Sequence, residues 1–324
     1  MSRKVLVTGS SGFVGGAVVA RLRGEGQFHV LETSRRAAPL AQDEVCIYDL
    51  DNPDPGLDLA AVDCVVHCAA RVHVFSRESD QAELESFRKT NVQGTLALAE
   101  RAAFSGVRRF IFVSTVKVNG EQTLPGMPFT ASDLPAPIDP YGVSKHEAEV
   151  ALLELAKRSA MEVVIIRPPL VYGPGVKANF HTMMGWLAKG IPLPLGCVEN
   201  ARSFVGIENL VDLVLVCVDH PQASQKVFLV SDGLDLSTPQ LLRRLGDALG
   251  SPARLLPVPV AVLRVIFGTV GRARTVDKLC SSLQVDISAT CSLLGWRPVR
   301  TLEENLQSTA DSFLAARKQE KRDA

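Results

Sequence analysis

The stretch KVLVTGSSGFVG, running from Lys4 to Gly15, decides the fold. A β-branched apolar run ends in glycines at positions 9, 12 and 15, and a helical pattern starts at Phe13. Glycine lets the backbone turn tightly and come close to a pyrophosphate, because no Cβ stands in the way. The first helical turn, with Phe13, Val14 and Gly15, then offers free N–H groups and the positive end of a helix dipole. Strand, glycine loop and helix in this order predict a dinucleotide-phosphate loop rather than an ordinary glycine-rich turn.

Outward from this loop, short β-branched runs alternate with helical patterns. Lys4–Thr8, His29–Thr33, Val45–Tyr48, Cys64–His67, Phe110–Ser114 and Val163–Arg167 read as buried strands. Helices are predicted over 13–23, 80–104 and 141–160. The expected fold is α/β, a Rossmann-type doubly wound parallel sheet over residues 1–168 with a return near 204–232. Beyond Arg167, Pro168-Pro169, Gly173-Pro174-Gly175 and the Gly190–Gly196 stretch punctuate the chain as turns. Helical patterns near 179–189, 207–219, 238–249, 259–267 and 301–317, with a strand at Val227–Val230, predict a smaller substrate-binding cap made of 169–203 and 233–324. The tail from Arg317 to Ala324 carries mixed charge and is expected to fray.

Composition narrows the function. The 324 residues carry 35 basic and 35 acidic side chains, so the chain is neutral and lacks the positive field that nucleic acid or an anionic membrane attracts. The apolar stretch around Val258–Val270 is broken by Arg264 and Gly268 and is too short for the ~20 residues of a membrane span. Seven scattered cysteines, an odd number set mostly in apolar runs, fit a reducing compartment better than a disulfide framework. With no signal-peptide pattern after Met1, a soluble cytoplasmic protein is expected. Cys64, His67 and Cys68 have a superficially metal-like spacing, but strand alternation sends the cysteines and the histidine to opposite faces, and no metal is expected.

The chemistry is carried by Tyr141-Gly-Val-Ser-Lys145. On a helix, residues four apart share a face, so a phenol and an ammonium lie side by side. A nearby cation favours phenolate and lowers the tyrosine pKa from about 10, which makes Tyr141 a usable acid/base. Upstream, strand Phe110–Ser114 runs into Ser114-Thr115-Val116-Lys117-Val118-Asn119-Gly120, at the carboxyl edge of the sheet where α/β proteins bind ligands.

Together these segments resemble the extended branch of the short-chain dehydrogenase/reductase superfamily, the NAD-dependent epimerase/dehydratase family. The loop GxxGxxG after Thr8, the FVSTVKVNG strand end, the DPYGVSKHEAE helix and RPPLVYGPGVKANF carry the likeness. The resemblance implies a Thr115–Tyr141–Lys145 triad. It implies cofactor contacts from Gly9, Gly12, Phe13, Val14, Gly15, Asp49 and Leu50. Further contacts would come from Cys68, Ala69 and Ala70 of an HxAA turn, from Asn91, from Tyr141 and Lys145, and from Pro168. Ser34 stands where NAD-specific members carry an aspartate, and Arg35 after it suits a 2′-phosphate, so NADP or NAD is expected with NADPH favoured. Arg35 and Arg36 could instead be a solvated surface pair. Asn179, Phe180 and Arg202 match positions that hold the nucleotide diphosphate of a UDP-sugar, and Arg202 could instead be a surface charge.

Sugar dehydratases of the family carry an Asp-Glu pair after this threonine. Here Val116 and Lys117 stand there, so dehydration is not expected. The resemblance is to bacterial enzymes of surface-polysaccharide biosynthesis. Some of them reduce a UDP-4-keto-6-deoxy-N-acetylhexosamine at C4, and others are UDP-hexose 4-epimerases. Net NADPH-dependent 4-keto reduction is the leading expectation. A 4-epimerase with tightly bound NAD is the alternative, and a non-catalytic dinucleotide sensor a second one. The family also implies a homodimer formed through the helices at 80–104 and 141–160.

Overall fold

The computed structural model describes residues 2–35, 45–53, 56–72, 80–124, 126–269 and 273–323. Seven parallel strands form the main sheet: β1 (Arg3–Thr8), β2 (Phe28–Ser34), β3 (Val45–Ile47), β4 (Val62–His67), β5 (Arg109–Val113), β6 (Glu162–Arg167) and β9 (Lys226–Leu229). Their order is β3-β2-β1-β4-β5-β6-β9, which reverses direction beside β1. The pairing is parallel throughout, as in Val5↔Val30 and Thr8↔His67, so all carboxyl ends meet at one edge. That edge, at the reversal of strand order, is where such sheets bind ligands.

Strand alternation explains the layers. Val5 and Val7 point to one face and pack with Val18 and Leu22 of α1 (Phe13–Gly24) and with Leu210 and Val214 of α6 (Ile207–Asp219). Leu6, Phe110 and Phe112 point to the other face. They meet Leu98 and Ala102 of α3 (Thr95–Phe104) and Leu152 of α4 (Pro140–Lys157). Apolar side chains on both faces of a parallel sheet need helices on both sides, and each fully buried Val, Leu or Phe contributes about 1.5–3 kcal/mol. Arg109 is buried beneath the sheet, where its Nη1 donates to the carbonyls of Cys217, Val218 and His220 at 2.7, 3.0 and 3.1 Å. It thereby satisfies the orphan carbonyls at the end of α6 and complements that helix's negative pole.

A third apolar cluster gathers the C-terminal elements. Tyr172 of β7 (Leu170–Tyr172), Phe180 and Met184 of α5 (Ala178–Ala188), Leu242 of α7 (Thr238–Ala248) and Leu306 of α11 (Leu302–Asp323) pack together. The remaining helices there are α8 (Val260–Thr269), α9 (Ala273–Cys280) and α10 (Ser288–Leu294).

Several expectations about single elements are corrected. The helix expected over 80–104 is α2 (Asp80–Phe87), a π-helical turn (Arg88–Gly94) and α3 in succession. The wide turn brings Gly94 against Leu50, where an added Cβ would stand 2.4 Å from the Leu50 carbonyl oxygen. The proline- and glycine-rich segment after Arg167 contains β7, paired in parallel with β8 (Phe204–Gly206) in a small second sheet. The tail stays helical to Asp323, since its arginines, lysines, Gln319 and Glu320 are good helix formers.

Candidate active site

Gly9 adopts φ +69°, and an added Cβ would lie 2.7 Å from the Ala69 nitrogen. At Gly15 a Cβ would meet the Gly9 carbonyl oxygen at 2.2 Å. Glycine is therefore forced at both positions, and the loop folds flat against the start of α1. Gly12 caps α1 without any side-chain hydrogen bond, so the amides of Phe13, Val14 and Gly15 are not claimed by a capping side chain. A bare backbone cradle facing a helix N-terminus fits a dinucleotide pyrophosphate.

The loop is held from below by a buried histidine. Thr8 Oγ1 lies 2.7 Å from His67 Nδ1, and Thr95 Oγ1 lies 2.9 Å from His67 Nε2. The Ala69 amide donates to Thr8 Oγ1 at 3.3 Å. Burial, aided by Lys145, draws His67 down to about 3, so it is neutral and bridges two hydroxyls. Cys68 and Ala69 come directly after it, Ala70 completes the turn, and burial pushes the Cys68 thiol up to about 12.

Asn91 sits on the π-helical turn and is buried. Its Oδ1 accepts the Arg71 amide at 2.8 Å, while its Nδ2 donates to the Arg71 carbonyl and to Ser144 Oγ, both at 3.0 Å. Ser144 Oγ in turn donates to the Tyr141 carbonyl at 2.8 Å. Asn91 thus ties the segment after β4 to the first turn of α4. Ser144 is a site residue that the sequence reading lacks, although its place between Tyr141 and Lys145 on one helix is a usable signal.

Thr115, Tyr141 and Lys145 converge at the carboxyl edge. Thr115 is extended and caps a 3₁₀ turn (Val116–Val118), accepting the Lys117 amide at 3.3 Å. Lys145 is buried, donates to the Val113 carbonyl at 2.8 Å, and has its Nζ 3.7 Å from the Phe112 ring centroid. Burial draws its ammonium down to about 7, against the opposing pull of Glu149. Tyr141 packs edge-on against Phe87, 5.9 Å between ring centroids. The expected lowering of its phenol is corrected, because burial and then the Asp139 carboxylate push it above its ordinary range. Burial weakens the charge of Lys145 itself, and its Nζ is engaged with Val113.

Asp139 is a second residue absent from the sequence reading. It caps α4, with Oδ1 accepting the Gly142 amide at 2.7 Å and Oδ2 paired with Lys117 Nζ. The Asp-Pro dipeptide before Tyr141 is a helix-start signal that places the first turn one residue ahead of the expected start at 141.

The other expected contacts are spread along the same edge and the cap. Ser34 ends β2, half-buried, and Arg35 beside it is exposed, while Arg36 is outside the described residues. Asp49 forms a turn whose Oδ1 accepts the Asp51 amide at 3.0 Å, followed by buried Leu50. Pro168 is buried and its carbonyl accepts the Val116 amide at 2.9 Å. Asn179 is exposed in the first turn of α5. Phe180 is buried and stacked on Tyr172 at 5.3 Å. Arg202 is part-buried, and its Nη1 donates to the Ser281 carbonyl at 3.0 Å. Among the described residues, no group of His, Cys, Asp or Glu could hold a metal ion, and no helix is long and apolar enough to cross a membrane.

Three comparisons place this site among known proteins. The model of the NAD dependent epimerase/dehydratase family matches residues 5–231. A UDP-glucose 4-epimerase of Vibrio cholerae is 47% identical over 98% of this chain and 97% of its own length. Among solved structures, the Thermotoga maritima UDP-glucose 4-epimerase with UDP-glucose covers 97% of this chain and 99% of its own, with TM-score 0.74 and 23% identity. The Bacillus cereus UDP-glucuronic acid 4-epimerase with NAD covers 96% of each chain, with TM-score 0.77 and 22% identity. The two structures share the fold. The Vibrio relative overturns the expectation of net 4-keto reduction, since a chain so similar throughout is a 4-epimerase. The difference has a physical source: one threonine, tyrosine and lysine serve both reactions, and the Ser34-Arg35 pair bears on the cofactor rather than on the direction of the hydride.

Proposed function

Because this chain belongs to the NAD dependent epimerase/dehydratase family, we propose that it is a UDP-sugar 4-epimerase working with NAD. The 47% identity to a UDP-glucose 4-epimerase across almost the whole chain carries this reading. NADPH preference goes with the reductive reading. An epimerase returns its hydride in every cycle and draws nothing from a reduced cofactor pool, so NAD takes its place here.

When bound, NAD supplies the hydride acceptor and donor at the sugar C4. Tyr141 takes the proton from the C4 hydroxyl and gives it back to the same oxygen, the work of a positioned acid/base. The Thr115 hydroxyl hydrogen-bonds that oxygen. Lys145, anchored on Val113, holds the cofactor ribose. Gly9, Gly12 and the amides of Phe13, Val14 and Gly15 hold the pyrophosphate, with Asp49, Leu50, Cys68, Ala69, Ala70, Asn91 and Pro168 around the rest of the dinucleotide. Asn179, Phe180 and Arg202 face the UDP-sugar, which lies under a cap formed by 169–203 and 233–324 beside the dinucleotide domain of 1–168.

The reading includes a cytoplasmic homodimer serving surface-polysaccharide synthesis. Phe104 at the end of α3 is 94% exposed and Val150 on α4 is 47% exposed, which suits helices that pair with a second copy.

The test is turnover of UDP-glucose and UDP-N-acetylglucosamine by wild-type protein and Tyr141→Phe, with products separated chromatographically. The wild type is expected to form the C4 epimer with no net change in nicotinamide absorbance. Tyr141→Phe keeps NAD and loses at least ~10² in rate. Stoichiometric consumption of reduced cofactor, or an unimpaired Tyr141→Phe, contradicts the proposal.

A further inference from the structure

We propose that Lys117 is a positioning residue for Tyr141: its ammonium neutralises Asp139 and so sets the charge environment of the phenol. The inference rests on the epimerase reading only in that Tyr141 is the acid/base.

The geometry begins with Asp139. Its carboxylate caps α4 two residues before Tyr141 and accepts the Gly142 amide at 2.7 Å. A helix N-terminus favours an anion, which suits a carboxylate at this cap. An anion that close opposes phenolate, and the phenol does stand above its ordinary range with Asp139 as a cause after burial. Lys117 supplies the counter-charge. Its Nζ pairs with Asp139 Oδ2 and lies 5.7 Å from the centroid of the Tyr141 ring.

The close approach is built in. An added Cβ on Gly142 would stand 2.9 Å from Asp139 Oδ1 and 3.1 Å from the Lys117 carbonyl oxygen, so glycine lets the 3₁₀ turn sit directly on the head of α4. The same turn starts at Thr115, whose Oγ1 accepts the Lys117 amide. One short segment therefore delivers a hydroxyl to the reacting oxygen and a cation to the carboxylate beside it. The charged groups about the phenol are Asp139 and Lys145 on α4 and Lys117 on the turn. α2 contributes the Phe87 ring, and Arg88 of the π-helical turn is taken up by Glu147, with Nη2 at 2.6 Å.

The experiment is an ultraviolet titration of phenolate in NAD-saturated protein, each variant read against the same variant carrying Tyr141→Phe. With three tyrosines in the chain, the difference isolates Tyr141. The wild-type phenol is expected to ionise above its ordinary value, at the alkaline end of the pH range where the protein stays folded. Lys117→Met should raise the midpoint by at least about half a pH unit, roughly threefold in phenolate at fixed pH. Lys117→Arg should stay with the wild type. Adding Asp139→Asn to Lys117→Met should return the midpoint, since asparagine still caps the helix but carries no charge. The proposal is overturned if Lys117→Met titrates with the wild type, if the double variant stays with Lys117→Met, or if the wild-type phenol never ionises in that range. No sugar is involved, so an enzyme that fails to epimerise leaves this outcome readable.

Discussion

Glu149 receives Arg167 bidentately inside the protein, with Nε at 3.0 Å from Oε1 and Nη2 at 2.5 Å from Oε2. Both side chains are almost fully buried, and the pair does not stand alone. Ser114 Oγ also donates to Glu149, and Arg167 Nη1 donates to Asn119 Oδ1 at 3.0 Å. Asn119 closes the chain by donating to the Thr130 carbonyl at 2.9 Å. Asn119 thus extends a buried polar network around the strand end that leads to Thr115.

Glu149→Ala leaves a buried guanidinium without its carboxylate. That change is expected to cost about 3–5 kcal/mol of stability, read by urea unfolding. A loss below about 1 kcal/mol would show that water reaches Arg167 freely.

Gly15→Ala should destroy cofactor binding before it destroys the fold. The added Cβ would press on the Gly9 carbonyl at 2.2 Å, and backbone cannot swing aside as a flexible side chain can. The expected outcome is at least a tenfold weaker NAD dissociation constant, about 1.4 kcal/mol, by fluorescence titration. Unchanged affinity would remove this loop from the cofactor site.

His67 gives the protein an acid sensitivity. Its folded pKa is drawn from 6.5 down to about 3, so between those values the unfolded chain holds the extra proton. Stability from this group is therefore complete above about pH 6.5 and is lost as pH falls toward about 3. Chemical unfolding across that window should show a shallower decline in His67→Asn than in the wild type. Parallel curves would mean that His67 is protonated in the folded state.

Arg35 separates the two cofactors. Exposed at the end of β2, it makes no demand on a cofactor that lacks a 2′-phosphate. Arg35→Ala should leave NAD affinity within about twofold and weaken any NADP binding by tenfold or more, the scale of a charge-assisted hydrogen bond. Equal losses for both would place Arg35 on a shared part of the dinucleotide.

The sheet was legible because its inner strands, such as β1, β5 and β6, are apolar on both faces and stand between glycine or polar breaks. KVLVT and VVIIR leave little choice once helices alternate with them. The glycine loop and the Thr115, Tyr141 and Lys145 positions were legible because their spacing is local. What stayed hidden depends on contacts between distant residues. Lys117 and Asp139 are 22 apart in sequence and meet only when the turn after β5 sits on α4. β7 and β8 are three residues each and read as loop beside prolines and glycines, since their pairing is tertiary. The π-helical turn leaves no periodic trace, and the contact it makes, Gly94 on Leu50, is between distant residues. Reaction direction was misread for a different reason: the side chains that distinguish return of hydride from its net delivery are not the ones that perform the proton transfer.

The most direct measurement tracks a deuterium label placed at C4 of UDP-glucose. A 4-epimerase removes that deuterium and returns it to the same carbon, so the account predicts the C4 epimer with its label retained and no label in added free NAD. Label passing into the free cofactor pool, or a keto sugar reduced once per reduced cofactor consumed, would contradict it.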